Sequence, residues 1–166
     1  MAYLLDANVF IEGKNRYYGL DFCPAFWDWL QAENTAGSVF SIEKVGDELA
    51  AGADELADWA AARPSGFFLP VQPGMLDALR RVSEWATTQR YEQSAVATFL
   101  QAADYYLVGQ ALALGYSVVT QELPSPSLKR IKIPDACVGL GVRCVSPFEM
   151  LRNRRARFVL DAAATA

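Results

Sequence analysis

The chain predicts an α/β fold built on a parallel sheet, and two features lead there. Short apolar runs read as buried strands at Tyr3–Asp6, Phe67–Leu69, Ser117–Thr120 and Arg143–Val145, with a weaker one at Ser38–Phe40. Helical patterns lie between them, and strands alternating with helices imply βαβ units.

The helices follow in order. The first covers about Pro24–Glu33, with Phe26, Trp29 and Leu30 on one face. The second starts near Ser41, which reads as its N-cap, and runs through Glu48 towards Ala62, with Gly52 interrupting it. A third runs from about Met75 to Thr88 on the apolar positions Met75, Leu79, Val82 and Ala86. A fourth starts near Ser94 and ends at Gly115, a natural residue to close a helix. A short one follows Pro147. Arg63-Pro64-Ser65-Gly66 and Gln72-Pro73-Gly74 are turns rather than linkers. Residues 1–160 therefore read as one domain, and the small-residue tail 161–166 is expected to fray.

Composition narrows the chemistry. The 166 residues can bury a sizeable core, and 52% hydrophobic with 20% charged residues is ordinary for a globular chain. No apolar run approaches the ~20 residues that span a bilayer, and no signal-peptide pattern opens the chain. Cys23, Cys137 and Cys144 form no CxxC pair and read as reduced thiols of a cytoplasmic protein. The absence of histidine excludes His-based zinc sites, Ser-His-Asp triads and His general bases. A net charge of −4 argues against a broadly basic surface. Local basic groups exist at Lys129, Arg130 and Lys132 and at Arg152, Arg154, Arg155 and Arg157, each either a phosphate contact or a solvated surface.

Several acids stand where a purely structural chain would not place them. Asp6 ends a buried strand, where open α/β sheets carry their ligand chemistry. Asp104 lies within the stripe Leu100, Ala103, Leu107, Ala111 and Leu114. Burying an unpaired carboxylate there costs several kcal/mol. The alternative is an Asp capping a fresh helix start after a break near Ala103. Glu48 lies beside Val45 and Leu49 on an inner face, with its neighbour Asp47 expected to point outward; an exposed Glu48 is the alternative. Glu122 follows the strand ending at Thr120, on the same sheet edge as Asp6, or else is an ordinary loop acid. Asp135 is a further candidate, or the cap of the turn after Pro134. Thr120 is placed to hydrogen-bond a metal ligand or a phosphate. Carboxylates gathered without a basic partner repel one another unless a divalent cation neutralises them. Oxygen ligands suit one or two Mg²⁺ or Mn²⁺ ions, which activate water for attack on a phosphodiester without a His base.

The motifs Leu5-Asp6-Ala7-Asn8-Val9-Phe10, Glu48-Leu49, Ala103-Asp104-Tyr105-Tyr106-Leu107 and Val118-Val119-Thr120-Gln121-Glu122 together resemble the PIN-domain family. The start Asp6-Ala7-Asn8-Val9-Phe10-Ile11-Glu12-Gly13-Lys14-Asn15, with Phe26-Trp27-Asp28-Trp29-Leu30 behind it and Ile131-Lys132-Ile133-Pro134-Asp135-Ala136-Cys137 in support, resembles one poorly characterised prokaryotic subfamily of it. The resemblance implies a three-layer α/β/α sandwich and a metal-dependent ribonuclease, with many members being VapC-like toxins of toxin–antitoxin pairs. It implies that Asp6, Glu48 and Asp104, at the three most regular acidic positions, and Glu122 at the fourth are the metal-binding and catalytic acids; Asp135 stays a candidate metal ligand on its own residues. Glu122 stands where Asp or Asn is more usual, and Asn8 where Ser or Thr is. Asn8 and Thr120 then support the site, and Lys14, Lys129, Arg130 and Lys132 are candidate contacts to RNA phosphates. The expected partners are RNA, a cognate antitoxin with a DNA-binding part, and a second copy of the chain. The alternative function is a non-catalytic PIN-like interaction module, for which the aromatic segment Tyr17, Tyr18, Phe22, Phe26, Trp27 and Trp29 would supply a surface. Phosphatase chemistry with Asp6 as nucleophile lacks its general acid, since position 8 is Asn.

Overall fold

The structure is a computed structural model that describes residues 1–161. Five parallel strands form one sheet: β1 (Tyr3–Leu5), β2 (Val39–Ile42), β3 (Phe68–Leu69), β4 (Ser117–Val119) and β5 (Cys144–Val145). Their order across the sheet is β3-β2-β1-β4-β5, and helices flank it to give an α/β/α sandwich. All pairings are parallel, with Leu4 opposite Phe40 on one side and Leu5 opposite Val119 on the other. The central strands are continuous apolar runs because both faces are covered: Leu4, Leu5, Val39, Val118 and Val119 have no exposed surface.

The chain leaves β1 in one direction, through β2 and β3, and returns to the other side for β4 and β5. The reversal lies between β1 and β4, and ligand crevices open at such switch points, beyond the carboxyl ends of the strands. Asp6 and Thr120 are the residues that follow those two ends.

The helices are α1 (Ala7–Glu12), α2 (Pro24–Thr35), α3 (Glu43–Ala51), α4 (Glu55–Ala61), α5 (Leu76–Thr88), α6 (Gln93–Gln101), α7 (Ala103–Leu114), α8 (Ile133–Leu140) and α9 (Pro147–Asn153). Gly52 and Gly115 close α3 and α7, as their positions predict, and Gly115 adopts φ +69°. Four expectations need correcting. Ser41 is not a cap; it lies inside β2, fully buried, and its hydroxyl donates to the Leu5 carbonyl at 2.6 Å. The expected helix from Ser94 to Gly115 is two helices, broken at Ala102. No residue there breaks helices by itself; α7 instead redirects to pack on α5, where Gly109 lies under Leu79 and the Tyr105 hydroxyl donates to the Leu79 carbonyl at 3.0 Å. Helices α1 and α8 form in segments whose sequence predicts no helix.

Helix α1 runs into a π-helical turn at Gly13–Tyr17. Gly13 packs against the Phe26 and Trp27 rings, where a β-carbon would lie 3.4 Å and 3.7 Å from them, at ordinary contact distance. The aromatic segment is mainly core. Tyr18 stacks on Phe26 with ring centres 4.2 Å apart, and Trp27 packs edge-on against Trp59 at 5.0 Å. Phe22 and Tyr17 remain exposed. The three cysteines are unpaired thiols. Among the described residues, no helix is long and apolar enough to cross a membrane. Of the tail expected to fray, residues 162–166 lie outside the described residues.

Candidate active site

Asp6 sits at the switch point, 6% exposed, with its backbone N–H still donating to Val119 across the sheet at 2.9 Å. The Thr120 hydroxyl donates to Asp6 Oδ2 at 2.8 Å. That hydroxyl also accepts from Asn8 Nδ2 at 3.2 Å and from the Glu122 N–H at 3.0 Å. With both acceptor positions taken by N–H donors, its one proton is committed to Asp6. Asn8 completes the brace by accepting the Gln121 N–H on Oδ1 at 3.0 Å. Behind it, Ser41 holds the Leu5 carbonyl, immediately before Asp6.

Asp104 enters from the first turn of α7. The break at Ala102 puts it at a helix start, as the capping alternative anticipated, although Ala102 is the cap residue itself and the Asp104 carboxyl engages its own backbone N–H. Burial pushes the Asp6 carboxyl up to about 7, and repulsion from Asp104 and then Glu122 adds to this; the Thr120 hydroxyl acts against it. Burial pushes Asp104 up to about 6, reinforced by Glu122 and Glu48 and opposed by Arg130. Asp6 and Asp104 are thus both held away from their charged forms, and among the described residues neither has a side-chain ion pair.

Glu122 belongs to the same field, yet it has basic partners, contrary to the expectation of an unpaired cluster. Its Oε1 lies 3.2 Å from Arg130 and 3.8 Å from Lys132, and its Oε2 accepts the Ile133 N–H at 2.9 Å. It therefore ties the basic loop to the start of α8. Glu48 does not turn inward as expected; both Asp47 and Glu48 are exposed, because α3 buries only Val45 and Leu49. Glu48 still acts on Asp104 through its charge. Asp135 points elsewhere, and its Oδ2 accepts the Ser125 N–H at 3.0 Å, pinning the loop that leads to α8. Lys14 is likewise engaged, with Nζ on Asp54 Oδ2 at 2.6 Å, joining the π-helical turn to the cap of α4.

Among the described residues, no three or more His, Cys, Asp or Glu side chains are gathered in ligating positions. The Asp6–Asp104 pair with Glu122 and Glu48 around it nonetheless suits a hard divalent cation. Mg²⁺ commonly takes one or two carboxylates and completes its shell with water and phosphate oxygens. Beside Asp104 lies a cleft of about 280 Å³ whose wall includes Thr98, Lys129 and Arg130. The Lys129 side chain is exposed and has no partner among the described residues, and Arg130 is 65% exposed in its side chain despite its ion pair. Acid and base thus share one cleft, as a site for a phosphodiester and a metal requires. Sequence reasoning missed Ser41, read as a cap, and the pairing of Glu122 with Arg130 and Lys132, which depends on the fold of α8.

No curated protein matches the chain, and no solved structure does. The family described as Domain of unknown function (DUF4411) matches residues 3–158, nearly the whole chain, and the chain belongs to it.

Proposed function

We propose that the protein is a Mg²⁺- or Mn²⁺-dependent endoribonuclease of the PIN-domain type. The observation that carries this reading is the Asp6–Asp104 pair at the β1–β4 switch point, Asp6 raised by burial and by repulsion from Asp104 and Glu122, Asp104 by burial and by repulsion from Glu122 and Glu48, beside a cleft lined by Asp104, Lys129 and Arg130. The acidic motifs that resemble the PIN family add to it. When bound, the divalent ion supplies water activation and neutralises charge at the phosphate. The chain's own residues do the rest. Asp6 and Asp104 hold the ion, with Glu122 and Glu48 adding negative field. Thr120 fixes the rotamer of Asp6, and Asn8 fixes Thr120. Arg130 and Lys129 bind the RNA strand by its phosphates.

The resemblance extends the proposal to the toxin of a cytoplasmic toxin–antitoxin pair, restrained by a partner with a DNA-binding part, and to a homodimer. Leu123 and Val138, 77% and 81% exposed, border a hollow of about 470 Å³ beside Glu122 and give such a partner apolar surface. The test is incubation of purified protein with structured RNAs, with and without Mn²⁺. Cleavage that needs the metal and is lost in Asp6→Asn with Asp104→Asn supports the reading. Metal-independent cleavage, or cleavage surviving both substitutions, refutes it.

A further inference from the structure

A second hollow, of about 360 Å³, opens beside Asn8 and Glu122 and is lined by Asn8, Glu12, Arg16, Tyr17, Gln121 and Glu122. The catalytic reading uses its Asn8 and Glu122 but gives Glu12, Arg16, Tyr17 and Gln121 no role. We infer that it is a nucleobase subsite, holding one unpaired base of a single-stranded RNA next to the scissile phosphate. This rests on the endoribonuclease reading.

The wall is built by the run from α1 into the π-helical turn. Asn8, Glu12 and Arg16 are four residues apart and form one row. A π-turn inside a helix often marks a functional site, and this one delivers Arg16 and Tyr17 to the mouth of the hollow. Tyr17 is anchored at one edge, where Phe148 meets it at 5.4 Å and 87°. It is 43% exposed, so an aromatic surface on a fixed mount stands open to solvent. Aromatic rings on such mounts bind unstacked bases, and every base has a face to offer.

The polar groups fit the same ligand. The Gln121 side-chain amide has no hydrogen bond among the described residues, while its backbone N–H is fixed by Asn8. A free amide can read a base edge with one donor and one acceptor. Arg16 is held by Glu12 at 3.0 Å yet keeps 71% of its side chain exposed, available to a flanking phosphate. The hollow shares Glu122 with the acidic field of Asp6 and Asp104, so a strand with a phosphate there has a neighbouring base within its reach. A duplex cannot use the subsite, because its bases are already stacked.

The test uses the full chain carrying Asp104→Asn, so that RNA stays intact, and reads binding by fluorescence anisotropy of a labelled single-stranded oligoribonucleotide and of a hairpin stem. Tyr17→Ala is expected to weaken single-strand binding by about tenfold or more and leave stem binding unchanged; Tyr17→Phe and Tyr17→Trp are expected to retain it. Circular dichroism checks that each variant folds. Equal affinity of Tyr17→Ala and parent for the single strand, or equal losses on strand and stem, overturns the subsite. If wild-type protein cuts RNA while Tyr17 proves indifferent, the subsite fails and the nuclease reading stands. If wild-type protein never cuts RNA but single-strand binding depends on Tyr17, the subsite stands and the nuclease reading fails.

Discussion

Thr120 Oγ1 lies 2.8 Å from Asp6 Oδ2 and gives it the one proton it has, bridging the ends of β1 and β4. The bond orients the carboxylate and favours its charged form. Thr120→Val removes the donor and keeps the shape. We expect Mn²⁺ affinity by calorimetry to fall about 10–100-fold, the usual effect of losing a group that orients a metal ligand. Serine, which restores the hydroxyl, should recover most of it.

The raised carboxyls set the pH response. A carboxyl whose folded pKa exceeds its unfolded one binds protons more tightly in the folded state. Its penalty is absent below the ordinary value of 3.8 for an Asp, grows as pH rises, and is complete above about pH 7 for Asp6 and about 6 for Asp104. The metal-free melting temperature should therefore fall between about pH 4 and pH 7 through these groups and level off by about pH 8, and Mn²⁺ should raise it most at the upper end. Asp6→Asn should stabilise the metal-free protein at pH 8, on the order of a few kcal/mol, while abolishing metal binding. Scanning calorimetry at both pH values reads all three effects.

Much of this centre was legible in the sequence, and the reasons are local. A buried apolar run ending in Asp6, and Asp104 inside an apolar stripe, each break a burial rule visible in one dimension. The strands were legible because both faces of a parallel sheet demand apolar residues. Helix α1 was not legible, since Asn8, Val9 and Ile11 are weak helix formers and the tertiary setting decides. Helix α8 was hidden because Ile133-Pro134-Asp135 also spells a turn. The expected inward turn of Glu48 failed because α3 is covered only along Val45 and Leu49. Lys14 and Asp135 carry charges whose partners, Asp54 and the Ser125 N–H, are set by loop paths that spacing does not encode.

Arg130 connects the acids to the cleft. Arg130→Ala should weaken RNA binding and reduce the slope of log affinity against log salt by about one contact. Because Arg130 opposes the rise at Asp104, the onset of metal-dependent activity should also shift to higher pH. Salt titrations and a pH–rate profile check the two effects separately.

Ser41 braces β1 from behind. It is fully buried and donates to the Leu5 carbonyl at 2.6 Å. Ser41→Ala should cost about 1–2 kcal/mol in urea unfolding, the usual effect of losing a buried hydrogen bond. A loss near zero would mean that the carbonyl finds another donor.

The central claim is that Asp6 and Asp104 share a divalent cation. Crystals soaked in Mn²⁺ and measured at the manganese absorption edge test it directly. The expected result is an anomalous peak between the two carboxylates, lost in Asp104→Asn crystals soaked in the same way. Full Mn²⁺ exposure with no peak there, or a peak unaffected by Asp104→Asn, would contradict it.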